Sequence, residues 1–381
     1  MTSKERILAA IRSQDIDYTP MIVDFSNPYA RDNIEVPPHP GTDWENERAR
    51  LEIYKKWGWD TYLTIVPHVT PLPEVKTSVA YDVEAKVLKQ TWKTPSGEIR
   101  EQLKLTPDWP EANGRQEPVP FNSDFRTARY LEYPFKDKSS LATLPYLFPE
   151  INDVDNETIT REFEEMKTLA EEFQVPLFVY LDAGMDWLTW LYPLEEAIIT
   201  LMDKPEQTPL LLEQINRAKY NRLKTLLSLG ADGVIRRGWY ESADYWSPVI
   251  FNEFAAGALN AEIRITREAG AVYVYLMMTG IMPILGELKK LNFDCLAGAE
   301  PELGGQDLEV IRAQLNKSIW GGISAPRHMI EGTPEIATAA THKAFDIIGR
   351  KGLILSPTVI FRRTWPWENL MAMERTWRER R

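Results

Sequence analysis

From residue 175 onward the chain alternates short apolar runs with longer stretches whose apolar residues recur every three to four positions. "PLFVYL" (176–181) comes before a helical stretch that follows Pro193, and "GVIRR" (233–237) comes before "SPVIFNEFAAGALNAEIRITREAG". The series continues with "VYVYLM" and "IMPILGELKKL", "FDCLAG" and "GQDLEVIRAQL", "SIWGGI" and "TPEIATAATHKAFDIIGRKG", then "LILSP" and "PWENLMAMERTW". Short apolar runs bounded by turn formers are strands buried on both faces, and the helical period marks the elements that cover them. Two more strand candidates lie upstream, "TPMIVDF" (19–25) and "TYLTIV" (61–66). Repeated βα units give a parallel sheet, and eight of them predict a single (β/α)8 TIM-barrel domain over residues 1–381. No glycine-rich dinucleotide or phosphate loop follows any of these strands, which counts against an open nucleotide-binding sheet.

Residues 79–105 change period. "VAYDVEAKVLKQTWKTPSGEIREQLKL" alternates at every second residue around Pro95-Ser96-Gly97, the pattern of an inserted antiparallel hairpin. Farther on, "DNETITREFEEMKTLAEEF" predicts a helix with Ile159, Phe163, Met166 and Phe173 inward. At the N-terminus, Thr2 and Glu5 fit a capping box, and Ile7, Leu8 and Ile11 share one helical face.

Composition narrows the function classes. The 381 residues include 44% hydrophobic ones, enough for a large core, and carry a formal charge of −12. That charge argues against nucleic acid as a partner, because phosphate neutralisation needs a basic face. No apolar run is long enough to span a membrane, and the N-terminus opens as a helix rather than a signal peptide. The single cysteine, Cys295, has no partner for an internal disulfide. A cytoplasmic, soluble protein is the expectation.

In a parallel barrel the C-terminal strand ends carry the functional groups. "GVIRR" ends there in Arg236 and Arg237, followed by Trp239, Tyr240, Glu241 and Asp244. Alternation sends only one of the two arginines inward. Either the pair closes the rim as a salt bridge, or one arginine takes a substrate carboxylate while Glu241 or Asp244 holds the other. Arg327 follows the seventh strand and Arg362 and Arg363 the eighth, so the predicted fold brings arginines from three strands to one face. With aromatic walls, they suit a small anionic, planar or aromatic acid. Arg236, Arg237, Trp239, Tyr240, Glu300, Arg327 and Arg362 are thus the substrate-binding candidates. The candidate acid–base groups are Asp24, Asp182, Glu241 and His328.

Four segments carry a family resemblance: "SKERILAAIRSQDIDYTP" at the start, "GADGV" (230–234), "WGGI" (320–323) and "PWENLMAM" (366–373). In this order and spacing the chain resembles the uroporphyrinogen decarboxylase superfamily, which includes corrinoid- and coenzyme M-linked methyltransferases. The resemblance implies a (β/α)8 barrel, a homodimer and, for the methyltransferases, a corrinoid partner protein. The signatures of both parent activities are altered. The decarboxylases' arginine-rich run after the first strand is replaced by "DFSNPYARDN", with Asp24 and Arg31, and their late histidine is missing from "LSPTVIF". The methyltransferases' zinc-binding His-x-Cys is replaced in "LMMTG" by Met277 and Thr279, so no zinc is expected there and no tightly bound cofactor is predicted.

Three readings remain. The first is corrinoid-linked methyl transfer, the demethylation of a small methoxylated or aromatic acid. The second is a metal-independent, decarboxylase-like lyase. The third is a barrel that binds a small anion without turning it over.

Overall fold

Helix Ser3–Ile11 begins as its sequence requires. The Thr2 hydroxyl accepts from the Glu5 N–H and the Glu5 carboxylate from the Thr2 N–H, which closes the capping box. The computed structural model describes residues 1–25, 46–109, 114, 117–203, 207–362 and 364–381. Helix Glu47–Trp57 leads to β1 (Leu63–Ile65).

An antiparallel four-stranded sheet follows, in the order β2 (Lys76–Asp82), β3 (Val87–Thr94), β4 (Gly97–Lys104), β5 (Tyr130–Glu132). The expected hairpin is its β3–β4 pair, closed where Thr94 faces Gly97 across Pro95 and Ser96. Gly97 sits at φ +148°, a conformation side chains rarely adopt. The alternation buries Leu88 and Leu103 with Trp109 and Val119. The sheet exceeds the expected hairpin because β2 and β5 flank it.

The parallel sheet comprises β1, β6 (Leu177–Asp182), β7 (Gly233–Arg237), β8 (Val272–Leu276), β9 (Cys295–Ala297), β10 (Ser318–Ile323) and β11 (Leu353–Pro357), hydrogen-bonded in that order. All six expected βα units after residue 175 are present. The expected first strand is not: residues 19–25 make only two isolated parallel bridges, Met21 to Leu355 and Phe25 to Phe361. Pro20 lacks an N–H and gives this segment only its carbonyl, which accepts from Leu355 N. The observed parallel sheet therefore has seven strands among the described residues.

The chain divides into two compact units, Met1–Val66 with Thr160–Tyr180 and Leu226–Arg381, and Pro67–Ile159 with Leu181–Thr225. In the first, one core cluster gathers Ile22, Phe178, Ile235, Val274, Ala297, Trp320 and Ile354 from the strand segments with Ile7, Ala10 and Ile11 of the N-terminal helix. The Ser318 hydroxyl, at the start of β10, donates to the Ile11 carbonyl. That helix thus sits at the N-terminal ends of the strands, opposite the end where β7 presents its arginines. Cys295 lies in this core, where burial pushes its thiol up to about 12. No helix among the described residues is long and apolar enough to cross a membrane.

Candidate active site

Strand alternation separates the two arginines. Ile235 packs in the core cluster, so Arg237 shares its face and Arg236 turns toward the covering helices. On that side Arg236 Nε donates to Glu262 Oε2 at 2.9 Å and Nη2 to Glu241 Oε1 at 2.7 Å, while Nη1 meets the Arg237 carbonyl. Tyr273 and Tyr275 alternate with the core residues Val272 and Val274. Their hydroxyls donate to Glu262 Oε2 at 2.6 Å and Glu241 Oε2 at 2.7 Å. Arg236, Glu241 and Glu262 are each 0% exposed. Burial opposes the charge on Arg236, but the two carboxylates outweigh it and hold the guanidinium well above its ordinary value. Arg236, read from the sequence as a substrate ligand, is thus the arginine a rim carboxylate holds. Glu241, read as catalytic, has both oxygens engaged.

Arg237 is buried at the strand end, its guanidinium carbon 4.0 Å from the Trp239 ring centroid. The turn between them admits only glycine. A Cβ on Gly238 would lie 2.5 Å from the Tyr275 ring and 3.0 Å from Glu241 Oε2. Tyr240 follows, its ring edge-on to Tyr245 at 5.4 Å.

Asp24 and Tyr62 meet on the core face. The Tyr62 ring packs against the core cluster, and its hydroxyl donates to Asp24 Oδ2 at 2.7 Å. Desolvation of the Asp24 carboxyl raises its pKa, against the pull of the Tyr62 hydrogen bond and the Arg50 charge. Glu300 is buried, accepting from the Thr358 hydroxyl at 2.9 Å and from the Glu302 N–H at 3.0 Å. The first of these bonds ties the loop after β9 to the loop after β11.

Other candidates lie elsewhere. His328 Nδ1 accepts from the Ser324 N–H at 2.9 Å, which leaves Nε2 to carry the proton, 3.6 Å from Glu302 Oε1. Burial lowers the His328 pKa although Glu302 and Glu300 oppose it. It lines a cavity of about 380 Å³ with Glu302, Gln306, Ala340 and Lys343, a group that includes neither Arg237 nor Asp24. Arg327 pairs with Glu331 at the surface, and Arg362 is exposed. Of the arginines expected on one wall, Arg237 is buried at its strand end, while Arg327 and Arg362 are exposed. Arg31 and Arg363 lie outside the described residues.

In the second unit both carboxylate oxygens of Asp182 are engaged. Oδ1 accepts from Lys219 Nζ at 2.7 Å and Oδ2 from Asn122 Nδ2 at 2.8 Å. Lys219 also donates to the Pro67 carbonyl at 3.2 Å and lies 5.6 Å from the Trp187 ring centroid. Lys219 escaped the sequence reading, yet it carried a signal. It falls four residues after Ile215 and four before Leu223, both buried, so a lysine stands on the apolar stripe of helix Gln207–Ser228. Tyr62 also escaped, because nothing local marks a tyrosine whose partner lies in another segment.

The zinc site implied by the methyltransferase resemblance does not fit these residues. Met277 is buried, and the Thr279 hydroxyl donates to Asp244 Oδ2 at 2.5 Å. Neither a thioether nor an engaged hydroxyl is a good zinc ligand. Among the described residues no three of His, Cys, Asp and Glu are grouped to hold a metal ion.

Comparison with known proteins fits this architecture. A methyltransferase from Methanosarcina mazei has a similar structure, with a TM-score of 0.61, 15% identity and coverage of 100% of this chain and 99% of that one. A B12-independent methionine synthase from Shewanella sp. W3-18-1 gives a TM-score of 0.48 at 13% identity, covering 95% and 98% of the two chains. The first likeness concerns the fold, and the second is too low to add to it. None of the curated proteins compared with the chain matches it. The model of the uroporphyrinogen decarboxylase (URO-D) family matches residues 130–380, well over half of the chain, and the protein belongs to that family.

Proposed function

We propose that this chain is an enzyme that removes a methyl group from a small anionic compound, aromatic or methoxylated, and passes it to a corrinoid carried by a partner protein. The observation that carries the reading is Arg237, a buried guanidinium at a strand's C-terminal end, on the core face and against Trp239. An aromatic ring beneath the guanidinium fixes its plane, so that its edge meets a carboxylate in two parallel hydrogen bonds. The indole also offers a wall to an aromatic substrate.

Asp24, on the same face, supplies the proton. Its desolvated carboxyl holds a proton more tightly than an exposed aspartate, which a general acid requires. In demethylation the methyl–oxygen bond breaks, the oxygen keeps the electron pair, and Asp24 delivers its proton to that oxygen. A reduced corrinoid would supply the nucleophile that takes the methyl group. The description of the M. mazei structure as a methyltransferase favours this choice. In the same proposal residues 19–25 complete the seven strands into an eight-stranded barrel, with Asp24 on its inner face.

Decarboxylation is the second reading, favoured by the same two residues. An arginine that holds a carboxylate and an acid that protonates the product carbon need no metal. Incubation with 4-methoxybenzoate and reduced cobalamin separates the readings. Release of 4-hydroxybenzoate supports methyl transfer, whereas carbon dioxide and methoxybenzene would replace it with the lyase. Binding with neither product would leave only an anion-binding barrel.

A further inference from the structure

We infer that Tyr62 is a positioning residue for Asp24: by donating to one carboxyl oxygen it confines the acid's proton to the other, and Arg50 holds Tyr62 in that pose. The inference rests on the reading of Asp24 as the proton donor. The contact is Tyr62 hydroxyl to Asp24 Oδ2, 2.7 Å. A carboxyl group whose Oδ2 is occupied by a donor carries its own proton on Oδ1, so the geometry selects the oxygen from which the proton leaves.

The phenol ring is braced by two aromatic neighbours, and the backbone that carries it by Arg50. Its ring stands edge-on to Trp320 at 5.1 Å and to Phe178 at 5.8 Å. Arg50 donates to the Tyr62 carbonyl at 2.8 Å and to the Thr61 hydroxyl at 2.7 Å, and Glu47 orients Arg50 through a 2.8 Å bond to Nε. A line of contacts thus runs from helix Glu47–Trp57 through the backbone before β1 to the acid.

The charged and titratable groups around the pair work in both directions. Tyr62 and Arg50 favour the Asp24 carboxylate, and Glu47 disfavours it. Tyr54 of the same helix, which donates to the Val23 carbonyl, and Tyr180 of β6, beside Tyr62, also lie close to the pair among the described residues. The direct hydrogen bond to the carboxyl comes from Tyr62. Its removal takes a donor from the charged form, so Asp24 must hold its proton still more tightly.

The test is a titration of the full chain labelled with carboxyl-¹³C aspartate, the Asp24 resonance being the one lost in Asp24→Asn. In the wild type its midpoint is expected above the ordinary 3.8. In Tyr62→Phe the midpoint rises further, by about one to two pH units, the size of a hydrogen bond to a charged group. A midpoint unchanged or lowered by Tyr62→Phe overturns the inference. If that variant fails to fold, 3-fluorotyrosine at position 62, a more acidic phenol and so a stronger donor, must lower the wild-type midpoint, and a midpoint unchanged or raised overturns the inference. No substrate enters the measurement. A shifted midpoint without turnover of 4-methoxybenzoate would remove the methyl-transfer reading and leave the pairing of Tyr62 with Asp24 intact.

Discussion

The two sides of β7 at its C-terminal end hold neighbouring residues of one type in opposite circumstances. On the helix side Arg236 meets two carboxylates and a backbone carbonyl, and two tyrosines complete the carboxylates. On the core side Arg237 lies against an indole. The first arrangement neutralises a guanidinium where water cannot reach it. The second keeps a guanidinium at the strand end that the proposed function needs for an anion. A buried ion pair is strongly destabilising when one partner is removed, whereas the work of a ligand-holding guanidinium is read in affinity. The two arginines should therefore fail in different assays.

Arg236→Met should produce the largest effect, because it strands Glu241 and Glu262 without their cation. A loss of roughly 3–5 kcal/mol in unfolding free energy is expected from denaturant titration. A loss below about 1 kcal/mol would mean the cluster is not what holds the strand end, and the contrast between the faces would collapse. Arg237→Ala should instead be read in ligand affinity, weakening 4-methoxybenzoate binding by roughly 2–5 kcal/mol in calorimetry. Equal affinity in the variant would take the anion away from Arg237.

Trp239→Leu sharpens the comparison from the aromatic side. Loss of the stacking partner should weaken the same ligand by about 0.5–2 kcal/mol, less than loss of the arginine. A larger effect than Arg237→Ala would make the indole, and not the charge, the main anchor. The smallest expected effect is a slope. Because the folded protein raises the Asp24 pKa, the stability tied to this group is full below its unfolded value and is lost as pH rises through the folded one. Asp24→Asn removes that loss. Its unfolding free energy relative to wild type should therefore climb as pH rises above the ordinary aspartate value, and a flat difference would contradict the raised pKa.

Much of this architecture was legible in the chain. β7, β10 and β11 coincide with "GVIRR", "SIWGGI" and "LILSP", because short apolar runs next to glycine or proline leave strands little freedom of register. The segment 19–25 looked equally strand-like, although its Pro20, which removes a ladder donor, was already a visible warning. For the arginines, alternation announced that they would part but not which would face the core. That phase is set by Ile235 meeting Ile22, Phe178 and Trp320, contacts no local pattern contains. Arg327 and Arg362 were placed by their strand ends alone, and side-chain direction on the following loops decided against them. The Asp24–Tyr62 bond spans 38 residues and has no local signature.

The Asp182–Lys219 pair limits how this protein can change over generations. A lineage that loses the lysine first keeps a carboxylate, 2% exposed, without its counter-charge, and one that loses the aspartate first keeps an ammonium group that is 4% exposed. Either single step is costly, while exchanging both for well-packed apolar residues is close to neutral. The two positions lie in different elements, 37 residues apart. They form a fitness valley that a lineage crosses in one double step or not at all, so descendants should carry both charges or neither.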